Sequence, residues 1–166
     1  MRTILLAAGF GKRLMPLTKD IPKCLVPIKG VPLLEIWLSR LVEFNLGPFL
    51  INTHYKSNQV ESYVKESQYS NKVTIANESL LMGTAGTLVK NLDFFQGEDG
   101  LLIHSDNYCM ANFNAFIDAH QNRPKECLLT MMTFRTNNPS ACGIIKLNQK
   151  GIVTQFYEKV TNPPGN

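Results

Sequence analysis

Gly9-Phe10-Gly11-Lys12-Arg13 follows directly on a short apolar run, and its two glycines let a backbone approach a ligand closely and offer it consecutive N–H groups. With the charges of Lys12 and Arg13 added, the pentapeptide outlines a cradle for phosphate oxygens. Position 14 is Leu, so the third glycine of the dinucleotide fingerprint is missing, and the Gly-Lys-Ser/Thr of a Walker loop is missing as well. A glycine-eased turn carrying solvated basic residues would read the same way. Pro22 and Pro27 bracket Lys23; stiffening on both sides leaves an ammonium with less freedom to lose when it meets a developing charge. A loop lysine in solvent is the alternative.

Three further places carry usable chemistry. Gly83-Thr84 opens an expected helix, where small residues leave room for a flat base and unpaired N–H groups face a ligand, or where they serve as an N-cap alone. Asp106 ends the run Leu101-Leu102-Ile103-His104-Ser105. A lone carboxylate at the end of a buried strand suits Mg²⁺ on a triphosphate, because a hard cation takes oxygen ligands and keeps most of its waters. Capping of a turn through Asp106-Asn107 competes with that role. In Glu158-Lys159 the carboxylate can accept hydrogen bonds from paired hydroxyls and the ammonium can pair with a phosphate dianion, although such a pair at a surface strand end is uninformative alone.

The elements that must position these residues alternate. Thr3–Ala8 reads as a strand buried on both faces, followed by a loop from Gly9 to Val31 that Pro16, Pro22, Pro27 and Gly30 punctuate too heavily for any regular element. From Pro32, Leu33, Leu34, Trp37, Leu38, Leu41, Val42 and Leu46 recur at helical spacing until Gly47-Pro48. Strands are then expected over 49–53, 72–76, 100–105 and 127–134, with helices over 57–68, 84–95 and 113–121 between them. This pattern predicts a Rossmann-like three-layer α/β/α fold with a mostly parallel central sheet and right-handed crossovers, and with ligands beyond the carboxyl ends of the strands. Residues 143–147 and 152–157, joined by Asn148-Gln149-Lys150-Gly151, predict a C-terminal hairpin or meander before a turn-forming segment over 161–166.

Composition narrows the function classes. The 166 residues hold 17 Lys plus Arg against 13 Asp plus Glu, a net charge of +4, with no run of like charges. That falls short of the basic stripe nucleic-acid binding requires. With 44% hydrophobic and 18% charged residues, a single globular domain is expected. Cys24, Cys109, Cys127 and Cys142 form no C-x-x-C pair, which argues against a zinc cage or disulfide framework and for a reducing cytoplasm. The apolar run from Ile4 to Ala8 is too short for a signal peptide or membrane span, so no membrane partner is expected.

The stretch Leu6 to Pro27 resembles the signature of the sugar-phosphate nucleotidylyltransferases, a G-x-G-x-R-L-x-P-L-T segment followed by P-K-x-L-x-P. The resemblance covers nearly the whole chain. It implies that Ala8, Gly9 and Gly11 wrap a nucleoside triphosphate, that Arg13 contacts its departing phosphates, and that Lys23 contacts the α-phosphate region. It implies that Gly83 and Thr84, in the family's L-G-T-A-G segment, recognise base and ribose. Asp106 would bind the metal, where the family writes G-D and this chain has Ser105-Asp106. Gly143, Glu158 and Lys159 would take the sugar 1-phosphate, although the family's E-K-P is Glu158-Lys159-Val160 here. The wording at Gly83 and at Asn52-Thr53-His54-Tyr55 is similar to the guanylyl branch. His54 itself reads as a partly buried histidine that finishes a strand.

The implied reaction transfers a nucleotidyl group from a nucleoside triphosphate, GTP, to a sugar 1-phosphate, mannose 1-phosphate, with Mg²⁺ as cofactor; it yields a nucleotide sugar and pyrophosphate. Heptose 1-phosphate or glucose 1-phosphate enzymes, and a non-catalytic nucleotide-sensing module of the same fold, are the alternatives. The family continues past the E-K-P segment, so residues 1–166 are expected to be a C-terminally truncated catalytic domain, weakly active or inactive alone. Assembly into a homo-oligomer is left open.

Overall fold

A computed structural model describes residues 1–162, so the expected closing turn lies outside the described residues from position 163 onward. The chain forms two compact units, Met1–Met110 and the part from Ala111 onward.

The first unit is built on four parallel strands, β1 (Arg2–Leu6), β4 (Phe49–Thr53), β5 (Val73–Asn77) and β6 (Gly100–His104), in the order β5-β4-β1-β6. The two central strands are the most apolar: Thr3, Ile4 and Leu5 are buried in β1, and all five residues of β4 are buried. Continuous burial of this kind is what a parallel strand with covered faces requires. Leu6 lies opposite Asn52 on one side and His104 on the other. The register therefore levels the carboxyl ends of β1, β4 and β6, and the residues just beyond them become neighbours.

The first helix, α1 (Leu33–Glu43), buries Leu33, Leu34, Trp37, Leu38 and Leu41, an apolar stripe at helical spacing. Pro32 immediately precedes it, where a missing N–H costs nothing. Helix α2 (Ser57–Glu66) buries Val60 and Val64.

Two expectations change in this unit. The loop between β1 and α1 contains short regular pieces: 3₁₀ turns at Lys12–Leu14, Leu17–Lys19 and Lys23–Leu25, and a ladder of β2 (Pro27–Ile28) with β3 (Val31–Pro32). Pro16 and Pro22 sit one residue ahead of their turns, so they preset the entry instead of breaking it. Lys29 and Gly30 both take positive φ, which is what a two-residue hairpin turn demands. The helix expected over 84–95 is split. α3 (Gly83–Lys90) ends where Asn91 Nδ2 donates to the Thr87 carbonyl at 2.8 Å, and Leu92–Phe95 is a 3₁₀ turn. A side chain that satisfies a late helical carbonyl competes with continuation of the helix.

In the second unit, α4 (Phe113–Gln121) is capped by Asn112, whose side chain accepts from Ala115 N–H. The antiparallel pair β7 (Gly143–Leu147) and β8 (Val153–Glu158) forms the hairpin read from the sequence, with a bulge between Lys146 and Leu147. Asn148 Oδ1 accepts from Lys150 and Ile152 N–H and closes the turn. The strand expected over 127–134 is not formed; Leu128, Leu129 and Phe134 are about 80% exposed. Strand propensity is realised only where a neighbour completes the ladder and covers a face, and no strand pairs with this run among the described residues. Among those residues, no helix is long and apolar enough to cross a membrane.

Candidate functional site

The site lies beyond the levelled strand ends of the first unit. Gly11 takes φ +64°, and a Cβ there would meet Thr18 Cγ2 at 2.8 Å and Lys23 Cβ at 3.2 Å, so both conformation and space demand glycine. Thr18, fully buried, donates through Oγ1 to the Gly11 carbonyl at 2.8 Å. Tyr55 Oη in turn donates to the carbonyls of Thr18 and Lys19. The loop is thereby fastened from below while Gly9, Phe10, Lys12 and Arg13 stay exposed. Phe10 packs edge-on to His54, and Lys12 Nζ lies 5.5 Å from its ring centroid. Ala8 is buried beside this loop.

Lys23 opens the third 3₁₀ turn, with Cys24 buried beneath it. Burial first, and the nearby Asp106 charge, push the Cys24 thiol up to about 12 against one backbone hydrogen bond that lowers it, so it is a packing group rather than a nucleophile. Lys23 Nζ lies 2.7 Å from Asp106 Oδ2, both side chains half-buried. Asp106 is held from either side. Ser105 Oγ donates to the Leu6 carbonyl at 2.6 Å, and Trp37 Nε1 donates to the Asn107 carbonyl at 2.8 Å.

Two adjoining compartments open here. One, of about 260 Å³, is lined by Gly9 to Arg13, Lys23 and Asp106. The other, of about 210 Å³, shares Gly9, Gly11, Lys23 and Asp106 and extends to Gly83 and Thr84. Gly83, Thr84, Arg13, Lys23 and Asp106, up to 93 residues apart in sequence, thus border one cleft. Gly83 takes φ +69° as the first residue of α3.

The floor of the second compartment holds a polar group that sequence reasoning passed over. Asn52 Oδ1 accepts from Ala7 N–H at 2.7 Å, and its Nδ2 donates to Glu78 Oε1 at 3.0 Å and to Thr87 Oγ1 at 3.1 Å. Thr87 Oγ1 also donates to Glu78 Oε1, and Met82 N–H donates to Glu78 Oε2 at 3.2 Å. All three side chains are buried. Burial pushes the Glu78 carboxyl up, but the hydrogen bonds from Asn52, Thr87 and Met82, helped by the Lys90 charge, bring it below the ordinary glutamate value. The available signal was Asn52 itself, an amide inside the otherwise apolar strand Phe49-Leu50-Ile51-Asn52-Thr53. His54 is half-buried at the end of β4 with Nδ1 2.7 Å from the Glu78 carbonyl oxygen, a contact that requires the proton on Nδ1.

In the second unit, Gly143 faces Glu158 across the hairpin, and Lys159 Nζ lies 2.9 Å from Glu158 Oε1 with both side chains exposed. A Cβ at Gly143 would meet Phe156 Cζ at 2.7 Å.

The family model described as Nucleotidyl transferase matches residues 2–166. The chain belongs to the nucleotidyl transferase family. The chain is 28% identical over 162 residues to the mannose-1-phosphate guanylyltransferase catalytic subunit beta of Drosophila melanogaster, covering 95% of the chain and 43% of that relative. It is 27% identical over 166 residues to the UTP–glucose-1-phosphate uridylyltransferase AglF of Haloferax volcanii, covering 100% of the chain and 68% of that relative. Among solved structures it is similar to HddC from Yersinia pseudotuberculosis complexed with GMP-PN, with a TM-score of 0.78 and 23% identity over 95% of this chain and 69% of that one. That last likeness speaks for the fold alone. The chain spans 43–45% of the length of the guanylyltransferase relatives it matches, about half.

Proposed function

We propose that the protein transfers a nucleotidyl group from a nucleoside triphosphate, GTP, to a sugar 1-phosphate, mannose 1-phosphate, releasing pyrophosphate. The observation that carries this reading is the cleft in which the glycine loop, the Lys23–Asp106 pair and the Gly83-Thr84 turn face one another. A loop of close-approach glycine and paired cations suits a polyphosphate, and a turn of small residues suits a flat base. Relatives named as guanylyltransferases for mannose 1-phosphate support the substrate pair. The fold and the nucleotide substrates agree with a reducing cytoplasmic setting, and the four cysteines are unbridged.

In the reaction an oxygen of the sugar phosphate attacks the α-phosphorus, and the bond to the β-phosphate oxygen breaks as pyrophosphate leaves. The attacking phosphate is already nucleophilic, so the chain's task is to orient two anions and neutralise charge. Arg13 supplies charge to the departing phosphates and Lys23 to the α-phosphate. Gly143, Glu158 and Lys159 are proposed as the sugar 1-phosphate group on their chemistry, a carboxylate for hydroxyls and an ammonium for phosphate.

Asp106 fits a divalent cation that is shared with substrate phosphates. It presents a carboxylate on the cleft wall, and Mg²⁺ binds in such sites through one or two carboxylates plus phosphate oxygens and water. When bound there, Mg²⁺ neutralises triphosphate charge. A cation held there would share the carboxylate with Lys23, which lies on Oδ2.

Pyrophosphate release measured with GTP, UTP and dTTP against mannose 1-phosphate and glucose 1-phosphate tests the proposal. Fastest release with GTP and mannose 1-phosphate is expected. In the full-length protein, binding of nucleotide with no release from any pair would make it a sensing module, and preference for UTP with glucose 1-phosphate would overturn the guanylyl assignment.

A further inference from the structure

We propose that Asn52, Glu78 and Thr87 form a positioning relay that sets the separation between the two ends of the cleft, Ala7 at the phosphate side and Met82-Gly83 at the base side. The inference rests on the nucleotide reading of the cleft.

The relay spans the elements that carry those ends. Asn52 sits beside Leu6 in the β1–β4 register, so its Oδ1 meets the first N–H beyond β1, the residue that leads into the glycine loop. Glu78 follows β5 directly and holds Met82 N–H, the last residue before α3. Thr87 lies one turn into α3 from Gly83, on the same face, and its hydroxyl bridges Asn52 and Glu78. The carboxamide uses its oxygen once and both its N–H donors, and both carboxylate oxygens accept. A buried carboxylate is costly unless its hydrogen bonds are made, so the group holds one geometry or loosens as a whole. A wall of Leu and Val would pack as well and would leave Ala7 N–H and Met82 N–H without these partners.

A fixed separation benefits only a ligand that reaches both ends. A linked ligand gains from two sites held at its own span, whereas either half binds its site regardless of that spacing. Loosening the relay therefore weakens the whole nucleotide more than its parts. Amide exchange gives a second, ligand-free reading. Ala7 N–H donates to Asn52, which in turn donates to Thr87 and Glu78, so its exchange reads the relay at one remove.

The experiment compares wild type with Thr87→Val, Thr87→Ser and Glu78→Gln, binding GTP, guanosine and inorganic tripolyphosphate calorimetrically. Thr87→Val removes the bonds to both Asn52 and Glu78 and is expected to weaken GTP about tenfold, the scale of a lost hydrogen bond to a buried charged group. Guanosine and tripolyphosphate should each change by less than about twofold, and Thr87→Ser should restore GTP binding to within that margin. Ala7 amide exchange should quicken in Thr87→Val and in Glu78→Gln. Equal losses for GTP and its fragments, unchanged GTP binding, or serine behaving like valine overturns the relay while leaving the nucleotide reading intact. If Thr87→Val does not fold, Glu78→Gln carries the same comparison, since its amide sets donors against either Met82 N–H or the donors of Asn52 and Thr87. A wild-type chain that binds none of GTP, UTP and dTTP removes the nucleotide reading and the relay with it.

Discussion

Lys23 Nζ and Asp106 Oδ2 stand 2.7 Å apart across 83 residues of sequence. The pair joins the proline-bracketed turn of the loop after β1 to the first residues beyond β6. With 21% and 37% of their side chains exposed, the two charges are wet enough that the pair adds little stability, about 1 kcal/mol or less. Its value is positional: each charge is kept at the cleft, where a triphosphate or a cation can displace the other.

Lys23→Ala is therefore expected to leave the melting temperature within a few degrees of wild type while lowering pyrophosphate release by about 10²–10³-fold, the scale of one lost transition-state charge contact. Parallel thermal melts and release assays check this. Turnover near that of wild type would remove Lys23 from the reaction.

The two loop glycines differ in kind. Gly11→Ala would force a side chain into positive φ and against Thr18, whereas a Cβ at Gly9 meets nothing within 4 Å. Denaturant unfolding should place Gly11→Ala roughly 1–3 kcal/mol below Gly9→Ala in stability. Equal stabilities would show that Thr18 does not fasten the loop.

Glu78 should shape stability in acid. Its carboxyl is held below the ordinary value in the folded chain, so in the window between the two values the unfolded chain binds a proton that the folded chain does not. Its contribution is present above the ordinary glutamate value and is lost as pH falls through the lower, folded one. Urea unfolding between about pH 5 and pH 3 should show a shallower decline for Glu78→Gln than for wild type. An identical slope would mean that the hydrogen bonds do not favour the ionised form.

Cys24, 1% exposed and with its thiol pushed up to about 12, should resist iodoacetamide at pH 8 in the folded chain, while the half-buried Cys127 and Cys142 are alkylated. Peptide mass spectrometry after a timed pulse reads the difference. Labelling of Cys24 at the rate of the others would place it in open solvent.

Much of the fold was legible because it is written locally. The apolar runs at Thr3, Phe49 and Gly100 and the helical stripe from Leu33 to Leu41 each state their own burial, and each forms the expected element. Residues 127–134 state the same local preference and form no strand, because a strand also needs an edge to pair with. The turns at Leu17 and Lys23 were hidden by their prolines, which act as entry residues when they sit one position ahead of a turn.

From residues alone, Gly9, Gly11, Arg13, Lys23, Gly83 and Asp106 could be picked out as chemically capable, since residue type and neighbours suffice for that. That the Lys23 and Asp106 charges meet, and that Asn52, Glu78 and Thr87 join under the cleft, was decided by strand register and by where the chain returns. Contacts between distant segments depend on how the elements pack against each other, and no local pattern encodes that distance.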